Sequence, residues 1–315
     1  MSVDTAGLMR GTTGPGAKIR WHANRFFLGR LRLAELLRAR LTVFDAFGAP
    51  GDTLLSATVC RNVKRCFPNL LLNLITPNPE LVARDPNIDE TNAPESRLCV
   101  WSWYLDHITR KDPGSNVHEP IARALRIPDY EYRARVYLDD AERKEAAALL
   151  ERNGLPVLAF NMLSKEPVKN WPPERWLEVI ESLRGRFHLV HLGDGREPII
   201  PGVQRFAGTL EMRQSMAVLS AADLHVGPDS FLMHAANGLG VPSVIIHGAS
   251  RPPESLGYRG NINLAVKIPC GPCWIHESRG ERCAHGLECL RKITAGEVRD
   301  AILRLARERN IIPAA

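Results

Sequence analysis

The chain has 315 residues, 44% of them hydrophobic and 24% charged, which is room for two domains of ordinary size and the composition of a soluble globular protein. No apolar run approaches the length of a membrane span and the N-terminus has no secretory apolar core, so the expected address is cytoplasmic. The net charge of +6 is modest and local, and without a base-reading or aromatic-plus-basic module it speaks against nucleic acid as a partner.

Residues 1–16 are rich in Gly and Thr and are expected to be disordered. In the basic N-terminal extension, residues 1–40, Lys18, Arg20, Arg25, Arg30, Arg32, Arg38 and Arg40 oppose the single acid Glu35 among interspersed Trp, Phe and Leu. Helical spacing would gather much of that apolar set on one side. Such a helix either packs on the domain with its arginines in solvent, the favoured reading, or makes peripheral contact with an anionic inner-membrane surface.

Residues 41–47 read as the first strand, running through a glycine loop into a helix that ends near residues 64–68. Asp52 sits at the start of that helix. A carboxylate there faces the crevice where open α/β sheets bind ligands, or else is a plain N-cap. Residues 70–75 form the second strand and 77–81 start the next helix. Trp101, Trp103, Tyr104, Asp106 and His107 precede a helix start at 116–122; they suit an acceptor sugar pocket or a core edge. A charged, alanine-rich helix over 139–153 closes the first domain, 41–153, and Gly154-Leu155-Pro156 opens the second, 154–315.

The second domain starts with a strand at 157–161, after which Pro172 and Pro173 suit a helix start and Trp176 packs that helix on the sheet. A strand over 187–192 ends in Gly193-Asp194-Gly195. Residues 223–248 then read as strand, turn, helix and buried strand, the helix stopped by Gly238 and Gly240. Asp229 and Ser230 either cap that helix or mark its N-terminus as a phosphate site, where unpaired N–H groups meet the positive dipole end. No Walker A loop and no Gly-x-Gly-x-x-Gly is present, which speaks against ATPases and simple dinucleotide enzymes.

Four of the seven cysteines, Cys270, Cys273, Cys283 and Cys289, fall within twenty residues. In a cytosolic chain this spacing favours a tetrahedral thiolate site for zinc or iron over reduced or disulfide-paired cysteines. Four protein ligands leave no open position, so its role is structural. A final amphipathic helix covers 294–310.

Three segments, in order, resemble glycosyltransferase family 9, the ADP-heptose heptosyltransferases. Gly51-Asp52-Thr53-Leu54-Leu55, with Arg65-Cys66-Phe67-Pro68 closing the helix, is similar to the family's Gly-Asp-(Val/Thr)-Leu-Leu and Arg-Phe-Pro. Lys169-Asn170-Trp171-Pro172 with Trp176 resembles Lys-x-Trp-Pro-x-x-x-Trp. Gly227-Pro228-Asp229-Ser230-Phe231-Leu232-Met233-His234 resembles Gly-x-Asp-(Ser/Thr)-Gly-x-x-His, with Phe231 in place of the second glycine. Smaller steps agree, among them Gly193 in a Val-Gly-Gly-like turn and Met212 at the helix that borders the nucleobase in relatives.

The resemblance implies an α/β GT-B architecture, two Rossmann-like domains facing across a cleft. It implies inverting transfer of a sugar, most readily heptose from an ADP-activated donor, to a hydroxyl of a glycan, lipid-linked glycan or protein, as in lipopolysaccharide biosynthesis. Asp52 would be the general base, and Lys169 would hold the donor phosphate. Asp229, Ser230, Phe231, His234, Met212 and Gly193 would line the donor site. Helix dipole and lysine supply the charge, so no catalytic metal is required. Protein heptosyltransferases of one family branch hold iron in such a cysteine loop. A side chain at Phe231 narrows the approach of backbone to a pyrophosphate, which leaves a nucleotide-sugar-binding protein without transferase activity as the alternative.

Overall fold

The structure, a computed structural model, describes residues 28–102, 116–151, 153–275 and 280–313. The chain divides into two compact units, the first ending at Tyr137 and the second beginning at Leu138. Among the described residues no helix is long and apolar enough to cross a membrane.

The first unit holds β1 (Arg40–Asp45), β2 (Leu71–Ile75), β3 (Glu90–Thr91) and β4 (Cys99–Ser102), all parallel in the order β3-β2-β1-β4. β1 is central and covered on both faces: Leu41, Thr42, Val43 and Phe44 are all buried. Since β2 and β4 lie on opposite sides of β1, the strand order reverses beside β1, and ligands of open α/β sheets bind outside the carboxyl ends at such a point. The helix Pro50–Cys66 leaves β1 through that end.

Part of the N-terminal extension is the helix Leu28–Leu36. It buries Leu31 and Ala34, yet Leu33 and Leu36 are 57% and 81% exposed. Apolar residues thus lie on both sides of the described turns, and the expected single apolar face is not formed there; residues 1–27 lie outside the described part. Trp101 stacks on Phe44 at 4.4 Å and is a core residue. Trp103, Tyr104, Asp106 and His107 lie outside the described residues.

The second unit has six parallel strands, β5 (Val157–Phe160), β6 (His188–His191), β7 (Gln204–Arg205), β8 (Leu224–Pro228), β9 (Ser243–Ile246) and β10 (Ile262–Leu264), in the order β10-β9-β8-β5-β6-β7. Its reversal falls between β5 and β8. The helix Pro173–Leu183 buries Trp176 completely, edge-on to Trp171 at 5.3 Å, and the Trp171 indole donates to the Ile293 carbonyl at 3.1 Å. The helix Asp140–Leu149, expected to close the first domain, belongs to the second unit. It packs on Met212–Ser220, and Glu142 of its capping box pairs with Arg213. The break in the chain therefore falls before this helix.

Candidate functional site

Of the residues singled out in the second unit, Lys169, Asp229, Ser230 and His234 come together beyond the carboxyl ends of β5, β8 and β9. β8 runs out at Pro228, Ser230 is extended, and the next helix, Phe231–Leu239, starts with no side-chain cap and ends on Gly240 in the left-handed conformation. Its first N–H groups are therefore not satisfied by Ser230, as a phosphate site requires. Ser230 holds the N-cap position without a side-chain bond to the helix, and Asp229 faces Lys169 instead. The Asp229 carboxylate, 3% exposed, meets the Lys169 ammonium at 2.9 Å across the end of the sheet. Burial pushes its pKa up, but Lys169, His247 and Arg251 outweigh burial and hold it well below the usual carboxylate range. Phe231 opens the helix without a positive φ, so the position that is glycine in the motif places no conformational demand on this chain.

Around this pair stand His234, expected at the donor site, and two groups to which the sequence assigns no role, Arg251 and His247. Arg251, 6% exposed, pairs with Glu166 at 3.0 Å. His247, at the end of β9, bonds through Nε2 to the Asn263 amide oxygen at 3.1 Å, and burial lowers its pKa. His234 bonds through Nδ1 to the Tyr258 hydroxyl at 2.8 Å, and burial lowers its pKa to about 4. At neutral pH the two imidazoles are uncharged, so Lys169 and Arg251 are the cations of the cluster.

Asn161, the residue after β5, is the hub. Its amide donates to the Leu163 carbonyl and the Ser230 hydroxyl, at 3.1 and 3.3 Å, and its oxygen lies 3.1 Å from His225 Nε2. A Cβ on Gly227 would collide with that oxygen, and one on Gly193, whose φ is +111°, with Glu197. These two glycines are fixed by close approach, and Gly193 is thereby held beside Asn161. Glu197 in turn is fully buried and bonds to His191 at 2.8 Å and to the Met162 amide at 2.6 Å. Met212 opens the helix Met212–Ser220, half-buried, with no side-chain role in the cluster described above.

In the first unit Asp52 is half-buried, the third residue of the helix Pro50–Cys66. Ala49 is the N-cap and Pro50 opens the first turn, so Asp52 is not the cap that one sequence reading allows. Next to it in the chain begins a buried polar knot of Asp45, Thr53, Thr76 and Asn78, to none of which the sequence assigns a role.

The four clustered cysteines are unpaired thiols. Cys270 and Cys283 act on Cys273, and Cys273 and Cys283 act on Cys289; burial raises the pKa of Cys273 and of Cys289. Their chemistry fits a thiolate metal site, although among the described residues no three His, Cys, Asp or Glu side chains stand close enough to hold an ion as they lie. The loop braces its neighbour: Cys273 N–H donates to the Ala249 carbonyl at 3.1 Å and Trp274 N–H to the Ser250 carbonyl at 2.9 Å, next to Arg251.

Two parallel α/β sheets, each with its polar groups at the reversal point, define a GT-B protein, and solved structures agree. Escherichia coli ADP-heptose lipopolysaccharide heptosyltransferase II matches with a TM-score of 0.64 at 16% identity, over 86% of this chain and 99% of that one. TibC of enterotoxigenic Escherichia coli, an iron-containing dodecameric glycosyltransferase, matches with a TM-score of 0.68 at 19% identity, over 85% of this chain and 76% of that one; TibC has also been solved with ADP-D-β-D-heptose. In sequence, lipopolysaccharide heptosyltransferase 1 of Pseudomonas aeruginosa is 32% identical over 130 residues, 38% of this chain and 37% of the relative, so the match spans little over a third of that protein. The model of glycosyltransferase family 9 (heptosyltransferase) matches residues 115–283, more than half of the chain. The chain belongs to that family.

Proposed function

We propose that this protein transfers heptose from an ADP-activated donor, with inversion, to a hydroxyl of a glycan or protein. The observation that carries the proposal is the buried Lys169–Asp229 pair beside the uncapped N-terminus of Phe231–Leu239. Lys169, Arg251 and the first helical N–H groups supply positive charge for a diphosphate, and a leaving nucleotide diphosphate gains most from donors fixed beforehand. Asp229 keeps the lysine in place, and Ser230 and Asn161 hold the entry to the helix. His234, neutral and tied to Tyr258, is a donor-side wall residue, with Gly193 and Met212 on the nucleoside side. Asp52, in the first unit, takes the proton from the attacking hydroxyl. The charge at the site makes a catalytic metal unnecessary.

Calorimetric titration with ADP-heptose, ADP-glucose, UDP-glucose and GDP-mannose tests the donor assignment. ADP-heptose is expected to bind most tightly, and ADP to be released slowly from it in water. Binding of ADP-heptose without any release, with or without acceptors, supports a donor-binding protein instead; no binding by any of the four rejects both.

We further propose that Cys270, Cys273, Cys283 and Cys289 hold zinc or iron in a structural role, as TibC's iron suggests. Elemental analysis of the purified protein is expected to find about one ion per chain, absent after replacement of all four by serine. A protein free of metal when purified from zinc- and iron-supplemented cells ends that assignment.

A further inference from the structure

We infer that Asp45 is a positioning residue for Asp52: its buried carboxylate terminates a one-way chain of hydrogen bonds that pins the backbone on both sides of Asp52. The inference rests on the proposed role of Asp52 as base. The chain of donors begins at Asn78. The Asn78 side-chain amide donates to Thr53 Oγ1 at 2.9 Å and to the Gly48 carbonyl at 3.1 Å, while its backbone N–H donates to Thr76 Oγ1 at 3.2 Å. Each threonine then has one proton left; the two hydroxyls are 2.9 Å apart and Thr53 also lies 3.4 Å from the Ala49 carbonyl, but the carboxylate is the acceptor both can reach. Thr53 Oγ1 lies 2.6 Å and Thr76 Oγ1 2.9 Å from the same oxygen, Asp45 Oδ2. The other carboxylate oxygen accepts the Gly48 N–H at 2.9 Å.

Gly48, at φ +71°, is thus held by both its N–H and its carbonyl, and Thr53 by its hydroxyl. These are the residues four before and one after Asp52. The loop between strand and catalytic carboxylate has no freedom left at either end.

Only an acceptor without protons can end such a chain, and an ionised carboxylate is the one side chain that offers two such oxygens. An amide at position 45 would set its NH2 against the Gly48 N–H or against the two hydroxyls, whose protons would then have only each other's oxygen and, for Thr53, the longer contact to the Ala49 carbonyl at 3.4 Å. Burial raises the pKa of Asp45 in spite of its donors. With its folded pKa above the unfolded value, this group favours folding less as pH rises through the carboxylate range. Its charge is therefore a cost to the fold at neutral pH, which fits a group kept for geometry. For stability, losing the charge and orphaning the hydroxyls oppose each other; for positioning, both act in one direction.

The test compares Asp45→Asn, Thr53→Val, Thr53→Ser and Asp52→Asn for ADP release from ADP-heptose, donor affinity, thermal midpoint and amide exchange over residues 46–53. Asp45→Asn and Thr53→Val are expected to slow release by at least about tenfold, because small misplacements of a reacting group cost this much. Donor affinity should stay within about twofold, since the donor residues lie in the other unit. Thr53→Ser should recover most of the rate, and exchange at 46–53 should quicken in the two slow variants. Unchanged rates in both, with Asp52→Asn inactive, overturn the positioning role alone. Full release by Asp52→Asn overturns the base reading and this inference with it. If Asp45→Asn does not fold, the Thr53 pair decides: equal loss in valine and serine variants overturns it.

Discussion

Replacing Lys169 with alanine is expected to weaken ADP-heptose binding by about ten- to a hundredfold, the value of one charge-assisted hydrogen bond to a phosphate, and to destabilise the second unit as well. The second effect comes from Asp229. Its carboxylate is 5% exposed at the side chain and faces the ammonium at 2.9 Å. Once the lysine is gone, Arg251 is the remaining full cation of the cluster, and it is engaged by Glu166 at 3.0 Å. His247 does not substitute, because burial lowers its pKa and keeps it neutral at pH 7. An uncompensated buried carboxylate costs about 3 kcal/mol or more. The sign with pH distinguishes this from lost packing. In the native protein Asp229 titrates below the ordinary range, so its stabilisation is present above about pH 4 and fades only in stronger acid. In the variant, burial prevails and the carboxyl titrates higher, so stability is lost as pH rises. The gap in thermal midpoint between native and variant should therefore be wider at pH 7.5 than at pH 4.5. A gap independent of pH would mean that the lysine stem, rather than its charge, is what the fold needs.

That Lys169 and Asp229 belong to one site is legible because both lie in linear motifs that follow parallel strands, whose carboxyl ends share one edge; that the two pair is shown only by the fold. Arg251, Glu166 and Asn161 lie on that same edge but carry no periodicity or motif; only the tertiary fold shows that Arg251 meets Glu166 or that Ser230 meets Asn161. A lone arginine four residues past the histidine that follows the buried strand Ser243–Ile246 is the available signal. Asp45 escaped for a different reason. It falls inside the strand expected over 41–47, and its partners Thr53 and Thr76 lie 8 and 31 residues away. A carboxylate following Leu41, Val43 and Phe44 in a buried strand is a cue that specific donors must meet it. Of the two readings open for Asp52, the N-cap falls because Ala49 holds that position and Pro50 opens the first turn. Helix Asp140–Leu149 shows the converse: its capping box is written in the sequence, but its choice of Met212–Ser220 as neighbour is not.

Asp52→Asn should lower ADP-heptose turnover by about 10²- to 10⁴-fold, the usual contribution of a general base, while the protein stays folded. The comparison of magnitudes makes the result interpretable. Asp52 occupies the first turn of Pro50–Cys66, where a negative charge is worth up to about 1 kcal/mol to the helix. Losing that charge therefore accounts for a shift of a few degrees in thermal midpoint and for nothing in the rate. Donor affinity should hold, because Lys169, Arg251 and the N-terminus of Phe231–Leu239 all belong to the second unit. Asp52→Glu sharpens the reading: it restores the charge to the helix end yet displaces the carboxylate by one methylene, so stability should return while most of the rate does not. If Asp52→Glu recovers both together, a negative charge at the helix end is all that the site requires of this position, and proton abstraction has to be sought elsewhere in the first unit.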